Sequence, residues 1–199
     1  MVRREGARQV SAEYVELLQH HLSRFWPDHR CEPLMWTLGD WPREHPEFRV
    51  LELAPAGRDK PWIYVSAGTA HLRSFDGVGH EYVVRTWQQE RLMVELLAMV
   101  ASYTREDDDG LHDGHTVPIG RPWIEGAEAD HLYINKPYFV SRDFATLRID
   151  HSFSVQFLWL IPITEREKEW RHEHGQEAFE QWLEDNAVKP EDPARRSSV

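Results

Sequence analysis

Cysteine and long apolar runs are both scarce in this sequence. Cys31 is the single cysteine among 199 residues, and no stretch approaches the roughly 18 apolar residues of a membrane-spanning helix. One cysteine excludes an internal disulfide and a thiolate metal cage. The first ten residues lack the apolar region and the cleavage site of a secretion signal. These absences predict a cytoplasmic protein that is neither secreted by that route nor embedded in a membrane.

Basic residues are too few for a protein that neutralises phosphate groups. The chain has 23 Lys and Arg against 34 Asp and Glu, which gives a formal net charge of −11. An excess of negative charge repels nucleic acid and attracts basic surfaces. The composition therefore disfavours a nucleic-acid partner and is easier to reconcile with a basic protein partner.

Two common signatures of enzymes are also missing. The G-x-S-x-G sequence of a nucleophile elbow does not occur, and Ser66 stands in the sequence Ser-Ala-Gly instead. The glycines at 77 and 79 have the wrong spacing for a phosphate-binding loop, and they precede a predicted strand where a helix is required. We therefore predict no catalytic residues and no cofactor.

One pair among the twelve histidines has the spacing of metal ligands. His112 and His115 flank Asp113, and a loop of this length can fold around a zinc ion. A catalytic zinc needs a third protein ligand, for which the spacing singles out none of the remaining candidates, which include His71, His80, His131 and His151. We interpret the pair as a turn followed by the start of a strand. The alternative function that it leaves open is a metal-dependent hydrolase that uses His112, His115 and a nearby carboxylate.

A run of acidic residues begins before this histidine loop and extends into it. Its members are Asp107, Asp108, Asp109 and Asp113. The run lacks the alternating ligands and the terminal glutamate of a calcium loop, and most charge runs are simply solvated. If the run has a function, docking a basic protein is the one that its charge favours.

Aromatic residues near the middle of the chain are a second candidate contact surface. Trp123, Tyr133, Tyr138 and Phe139 can present rings to a partner, although burial in the core is expected for at least two of the four. We take Trp123 and Tyr138, together with the four aspartates, as the candidate partner-binding residues. Addition of a partner's strand to a sheet edge is the form of binding that we expect.

The segment from 153 to 175 carries the clearest structural signals. Its first nine residues are almost continuously apolar, which is typical of a strand buried on both faces, and Pro162 is expected to end that strand. Thr164 and Glu167 have the spacing of a capping box and predict a helix over 165–174. Gly175 is expected to end the helix in a left-handed conformation, and a second short helix follows over 176–184.

The remaining elements follow from hydrophobic periodicity. A helix begins at Ser11 and ends near Pro27, and a longer helix over 88–104 has a broad apolar face. The prolines within 116–123 predict an edge segment of the sheet. Short strands are predicted near 35–36 and over 49–54, 62–66, 80–87, 131–134 and 146–149.

This order of helices and strands predicts an α+β fold, an α/β sandwich with a mixed β-sheet and helices packed on both faces. We expect a flexible N-terminus over residues 1–10, a single domain over 11–186 and a disordered tail over 187–199.

Four stretches, in this order along the chain, resemble the suppressor-of-fused domain family. They are the sequence Trp62–Gly68 with Ala70–Leu72, the sequence Gly79–Val84, the sequence His115–Trp123, and the sequence Leu160–Thr164 followed by Glu173–Gly175. The resemblance spans approximately residues 48–186, and its last two stretches are the most specific.

The resemblance implies an α/β sandwich that binds proteins without known catalysis. Animal members of the family resemble cytoplasmic inhibitors that hold a transcription factor by an extended peptide. Bacterial members of the short, single-domain type resemble immunity proteins encoded beside polymorphic toxins. Because this chain lacks a second, C-terminal domain, the resemblance favours an immunity protein that binds a basic toxin domain encoded nearby. A peptide-binding regulatory scaffold is the remaining alternative.

Overall fold

The computed structural model describes residues 11–37, 41–72, 74–75, 77–103, 111–192, 195–197 and 199. Its nine strands form one sheet. The strands are β1 His29–Leu34, β2 Arg49–Pro55, β3 Trp62–Ala67, β4 Ser74–Phe75, β5 Val78–Thr86, β6 Thr116–Pro118, β7 His131–Asn135, β8 Thr146–Arg148 and β9 Ser154–Ile163. The helices are α1 Ala12–Phe25, α2 Trp41–Glu44, α3 Thr69–Leu72, α4 Leu92–Ser102, α5 Glu165–His174 and α6 Gln176–Asp185, with a 3₁₀ turn at Arg142–Phe144.

The sheet is mixed, as predicted. Its main strand order is β1-β2-β3-β5-β9-β7-β6, while β4 pairs with β5 and β8 pairs with β9. The pairing of β5 with β9 is parallel, and the other pairs are antiparallel. Strand β9 lies near the centre of the sheet, which explains why its residues from Phe157 to Ile163 are buried.

Helices cover both faces of the sheet, which confirms the predicted α+β fold. On β5, Tyr82 and Val84 belong to one core cluster with α4, whereas Val83 belongs to a second cluster with α1. Alternation along a strand sends neighbouring side chains to opposite faces, so α4 and α1 lie on opposite sides of the sheet. A third cluster joins Trp159 and alternate residues of β9 to α6, on the same face as α1.

The capping box and the two C-terminal helices are confirmed. The Thr164 side chain accepts a hydrogen bond from the Glu167 amide, and the Glu167 side chain accepts one from the Thr164 amide. Gly175 separates α5 from α6 with φ 89° and ψ 169°. This positive φ favours glycine, although its ψ lies outside the left-handed helical region that we expected.

The prediction that Pro162 ends its strand is wrong. Strand β9 continues to Ile163, and Pro162 lies opposite Leu132 of β7. The parallel pairing with β5 ends at Trp159, three residues earlier. Pro162 therefore lies where β9 has a ladder partner on only one side, which is a position that a residue without an N–H can occupy.

The largest of the other boundary differences concern the first strand, the long helix and the edge strand β6. The first strand is His29–Leu34 and not the stretch around residues 35–36, and the long helix begins at Leu92 and not at residue 88. The edge strand β6 covers only three residues of the segment 116–123. Local periodicity places the elements well, but pairing with β2 and β7 decides where β1 and β6 end.

Candidate protein-binding groove

The stretches 62–68 and 79–84 meet around a fully buried carboxylate. Glu81 of β5 is 0% exposed and accepts hydrogen bonds from the Ser66 hydroxyl at 2.5 Å, from the Gly68 amide at 2.7 Å and from the Tyr14 hydroxyl at 2.7 Å. The amides of Thr69 and Ala70, at the start of α3, complete the set at 3.3 and 3.2 Å. The network joins α1, β3 and α3 to the centre of the sheet.

This network has the chemistry of a structural anchor. Burial raises the pKa of Glu81, and the hydrogen bonds from Ser66, Gly68 and Tyr14 partly oppose that rise. Ser66 is itself 0% exposed, and its oxygen also accepts a hydrogen bond from the Tyr82 amide at 2.8 Å. Because the Ser66 hydroxyl and the Glu81 carboxylate are fully buried, they hold the backbone around them in place and offer no surface to a substrate.

The structure brings the rings of the predicted histidine pair close together. The rings of His112 and His115 are 3.6 Å apart between centroids, and His112 Nδ1 lies 3.0 Å from the Asp113 carbonyl oxygen. Asp113 Oδ2 lies 3.5 Å from Lys136 Nζ. Across the described part of the chain, the three-residue group whose ligand atoms all come within 4.8 Å of one another includes neither His112 nor His115.

That three-residue group consists of Asp130, His131 and Glu165, at the point where β7 begins and β9 passes into α5. His131 Nδ1 lies 2.9 Å from Asp130 Oδ1, and its Nε2 lies 3.1 Å from Glu165 Oε2. Glu165 also forms an ion pair with Lys168. Each nitrogen of the imidazole thus lies within hydrogen-bond distance of a carboxylate oxygen, so the three side chains contact one another directly.

The candidate partner-binding residues lie in different places. Tyr138 is 52% exposed, whereas Trp123 is 1% exposed and packs in the core cluster with α4, so its ring offers no surface to a partner in this structure. Asp113 is partly exposed and lies beside Lys136. Lys136 begins the segment that carries Tyr138. The remaining three aspartates, Asp107, Asp108 and Asp109, lie outside the described residues.

Tyr138 stands beside a groove that sequence reasoning did not predict. The groove has a volume of about 260 Å³ and lies between the end of α1, the turn before β3, and the segment after β7. Its aromatic lining comes from Phe25, Trp26 and Phe139. The Tyr138 ring packs edge-on against Trp159 at 4.9 Å, and Phe139 packs against the same indole at 4.6 Å. The two adjacent rings thereby link the exposed surface to the groove.

A mostly buried cation, Arg85, forms part of the groove lining. The Arg85 guanidinium lies 4.4 Å from the centroid of the Phe139 ring and 6.0 Å from that of Trp159. Its Nη2 lies 3.3 Å from Glu191 Oε1, and the two side chains are 15% and 11% exposed. Burial lowers the pKa of Arg85, and the Glu191 carboxylate acts in the opposite direction. Arginine and tryptophan are among the residue types that are enriched in binding hot spots.

The sequence contains only weak signals for this groove. Phe25 and Trp26 follow one another at the end of α1, and Phe139 is one of the four aromatic residues singled out from sequence. Arg85 interrupts the apolar pattern of β5 between Val84 and Thr86, and a single charge inside an apolar strand is the sign of a paired or functional residue. The order of the strands brings these groove residues together, and local sequence patterns do not show that order.

The segment after Asn186 contacts the body of the protein. Glu191 is 9% exposed and pairs with Arg85, and Arg195 donates to both oxygens of the buried Glu167 at 2.5 and 2.8 Å. Arg195 also donates to the Pro162 carbonyl at 2.6 Å. Two charged residues of this segment, for which the composition predicts disorder, thus pair with Arg85 of β5 and with the buried Glu167 of α5.

Comparisons with known proteins identify the fold. The family described as Suppressor of fused protein (SUFU) matches residues 44–196. A crystal structure of a putative SUFU homolog from Neisseria gonorrhoeae FA 1090 is 32% identical, with a TM-score of 0.81, and the alignment covers 95% of this chain and 98% of that one. None of the curated proteins compared with the chain matches it.

Two more distant structures share the fold at 12% identity. The structure of a Sufu–Fu complex has a TM-score of 0.62, with 85% of this chain and 83% of that chain covered. The Drosophila Suppressor of Fused structure has a TM-score of 0.63 and is covered over 46% of its length by 85% of this chain. The family match and the homolog at 32% identity cover most of the sequence, and the chain therefore belongs to the suppressor of fused family.

Proposed function

We propose that this protein is a non-catalytic protein-binding module, and more specifically an immunity protein that neutralises a basic toxin encoded nearby. The observation that carries the proposal is the aromatic groove with Arg85 in its lining and Tyr138 beside it, in a chain that belongs to the suppressor of fused family. A distant protein with the same fold is known in a Sufu–Fu complex, which supports protein binding.

The charge of the chain supports a basic partner. A net charge of −11 attracts a basic domain over a distance and raises its rate of association. Tyr138 and the aromatic lining then supply the short-range contact area, since tyrosine and tryptophan combine large apolar surfaces with polar groups.

We place the complex in the cytoplasm. None of the helices that the structure describes is long and apolar enough to cross a bilayer.

Strand addition at the sheet edge is a second mode of partner binding. Strand β1 is an edge strand of six residues, but Pro33 interrupts its hydrogen-bonding groups, and Gln19 Nε2 donates to the Cys31 carbonyl at 3.4 Å. Proline and side-chain contacts of this kind protect an edge from pairing. These features favour the groove over the β1 edge as the main contact surface.

The test is co-purification of the chain with the product of the neighbouring gene, with toxin activity measured in the presence and absence of the chain. We expect a stable complex that abolishes the toxin's activity. Tyr138→Ala should weaken the complex at least about tenfold, as truncation of a hot-spot ring does. Tyr103→Ala is the matched control, because Tyr103 is 43% exposed at the end of α4 on the opposite face of the sheet.

Two results would contradict the proposal. Failure of the pair to bind, with the toxin equally active in the presence of the chain, would remove the immunity function. Equal weakening by Tyr138→Ala and Tyr103→Ala would remove the groove as the contact surface, even if the complex forms.

A further inference from the structure

Residues 188–192 and 195–197 near the C-terminus, which we call the strap, are held by side chains and not by a β-ladder. Its described residues belong to neither a strand nor a helix. Glu191 is paired with Arg85, and Arg195 is paired with Glu167. A segment attached through a small number of side-chain contacts opens at a lower free energy than the strands beneath it.

The strap lies close to where two central strands stop pairing. The parallel register of β5 with β9 ends at Val83 and Trp159, two residues before Arg85. Arg85 is in register with Ile63 of β3, on the other side of β5. The Arg85 side chain turns towards Phe139 and Trp159, and Glu191 of the strap supplies the carboxylate beside it.

Arg85 is shared between the strap and the open groove. Its guanidinium contributes to the groove lining, while its Nη2 contacts Glu191. A guanidinium that is 15% exposed needs a carboxylate partner, because an unpaired buried charge is strongly unfavourable. Any segment that enters the groove and offers a carboxylate can therefore satisfy Arg85 in place of Glu191.

We propose that Arg85, Phe139 and Trp159 form a docking surface for an extended partner segment that carries a carboxylate next to a proline or an aliphatic residue. The strap shows the chemistry that this surface accepts, since Glu191 follows Pro190 and both are buried. The partner segment displaces the strap and takes its place on Arg85. This inference rests on the proposed protein-binding function and specifies the partner's contact residues.

Competition between the strap and a partner has a measurable consequence. A partner binds only the fraction of molecules in which the strap is open, so its apparent affinity rises when the strap is weakened. Glu191→Gln keeps the size of the side chain and removes the charge that pairs with Arg85. It should therefore open the surface without altering the groove.

The experiment uses the full-length protein and a fluorescent synthetic peptide of residues 187–199, with binding followed by anisotropy. We expect the peptide to bind Glu191→Gln protein at least about tenfold more tightly than it binds the wild type. Glu177→Gln is the matched control, because this exposed residue in the first turn of α6 loses the same charge outside the strap and should bind as the wild type does. Adding Arg85→Met to Glu191→Gln should abolish binding.

A peptide carrying Glu191→Gln gives a test that needs no change at Arg85. On the Glu191→Gln protein, this peptide should bind at least about tenfold more weakly than the natural sequence. Equal binding of the two peptides, or equal binding of the natural peptide to wild-type and Glu191→Gln protein, would overturn the proposal.

Size-exclusion chromatography separates a foreign partner from a second copy of the chain. We expect the wild-type protein to elute as a monomer, whereas a dimer that exchanges its straps would overturn assignment of the surface to another protein. The peptide assay contains no toxin. Its failure would leave the co-purification result standing, and failure of co-purification would leave the peptide result standing.

Discussion

The Tyr14 hydroxyl of α1 donates a 2.7 Å hydrogen bond to Glu81 Oε1 in the centre of the sheet. Tyr14 is 3% exposed, and Glu81 is 0% exposed. The bond joins the N-terminal helix to the carboxylate that also binds the amides at the start of α3. The resemblance motifs around Ser66 and Glu81 therefore act as a structural anchor, and the contact surface that we propose is the aromatic groove instead.

Tyr14→Phe should lower the free energy of unfolding by about 1.5–3 kcal/mol, because it removes a hydrogen bond to a buried carboxylate. Urea denaturation followed by circular dichroism measures the change. Tyr103→Phe, at a position that is 43% exposed, should change it by less than about 0.5 kcal/mol. Equal stability of Tyr14→Phe and the wild type would show that α1 does not depend on this bond.

The stability contributed by Glu81 should fall as pH rises. Burial raises the pKa of Glu81 in the folded state above its ordinary value of 4.5. At pH values between 4.5 and this raised pKa, the folded state therefore binds more protons than the unfolded state. Stability therefore decreases as pH rises from 4.5 through the raised pKa. When the urea midpoints are measured across this pH range, the midpoint of the wild type should fall more steeply with rising pH than that of Glu81→Gln. A wild-type midpoint that rises relative to that of the variant would refute the assignment.

Neighbouring arginines in the strap should differ sharply in their effect on stability. Arg195 pairs with Glu167, and the side chains are 10% and 0% exposed, whereas Arg196 pairs with Glu128 at exposures of 82% and 39%. Arg195→Ala leaves a buried carboxylate unpaired and should cost about 3–5 kcal/mol. Arg196→Ala should cost about 0–1 kcal/mol. Similar losses in a urea titration of the two variants would mean that the strap does not hold Arg195 in place.

Sequence patterns predict contacts best where the partners are close along the chain. The capping box joins Thr164 to Glu167, three residues away, and its prediction is confirmed. The bond from Tyr14 to Glu81 spans 67 residues, and no local pattern contains it. Pro162 shows the same limit. Strand β9 can contain a proline there because its pairing with β5 has already ended, and the sequence around Pro162 does not show where that pairing ends.

The candidate binding residues show this limit at the proposed contact surface. The sequence singles out Trp123 and Tyr138 for the same aromatic character, but the fold buries one and exposes the other. Arg85 reaches the groove because β5 lies beside β9, and Glu191 reaches Arg85 because α5 and α6 return the chain to this face. Identifying the groove therefore requires the strand order, which is a property of the whole chain.

Gly79→Ala should destabilise the protein through a direct overlap with α3. A Cβ atom at Gly79 would overlap the carbonyl oxygen of Ala70 and would lie 2.7 Å from the Ala70 Cβ atom. The backbone of α3 must shift, and Ala70 also donates its amide to Glu81, so we expect a loss of about 1–3 kcal/mol. Gly57→Ala is the control, because its Cβ would meet only the movable side chain of Asp59. Thermal melts of the two variants decide the prediction, and a melting temperature for Gly79→Ala equal to that of Gly57→Ala would show that α3 is free to move away from β5.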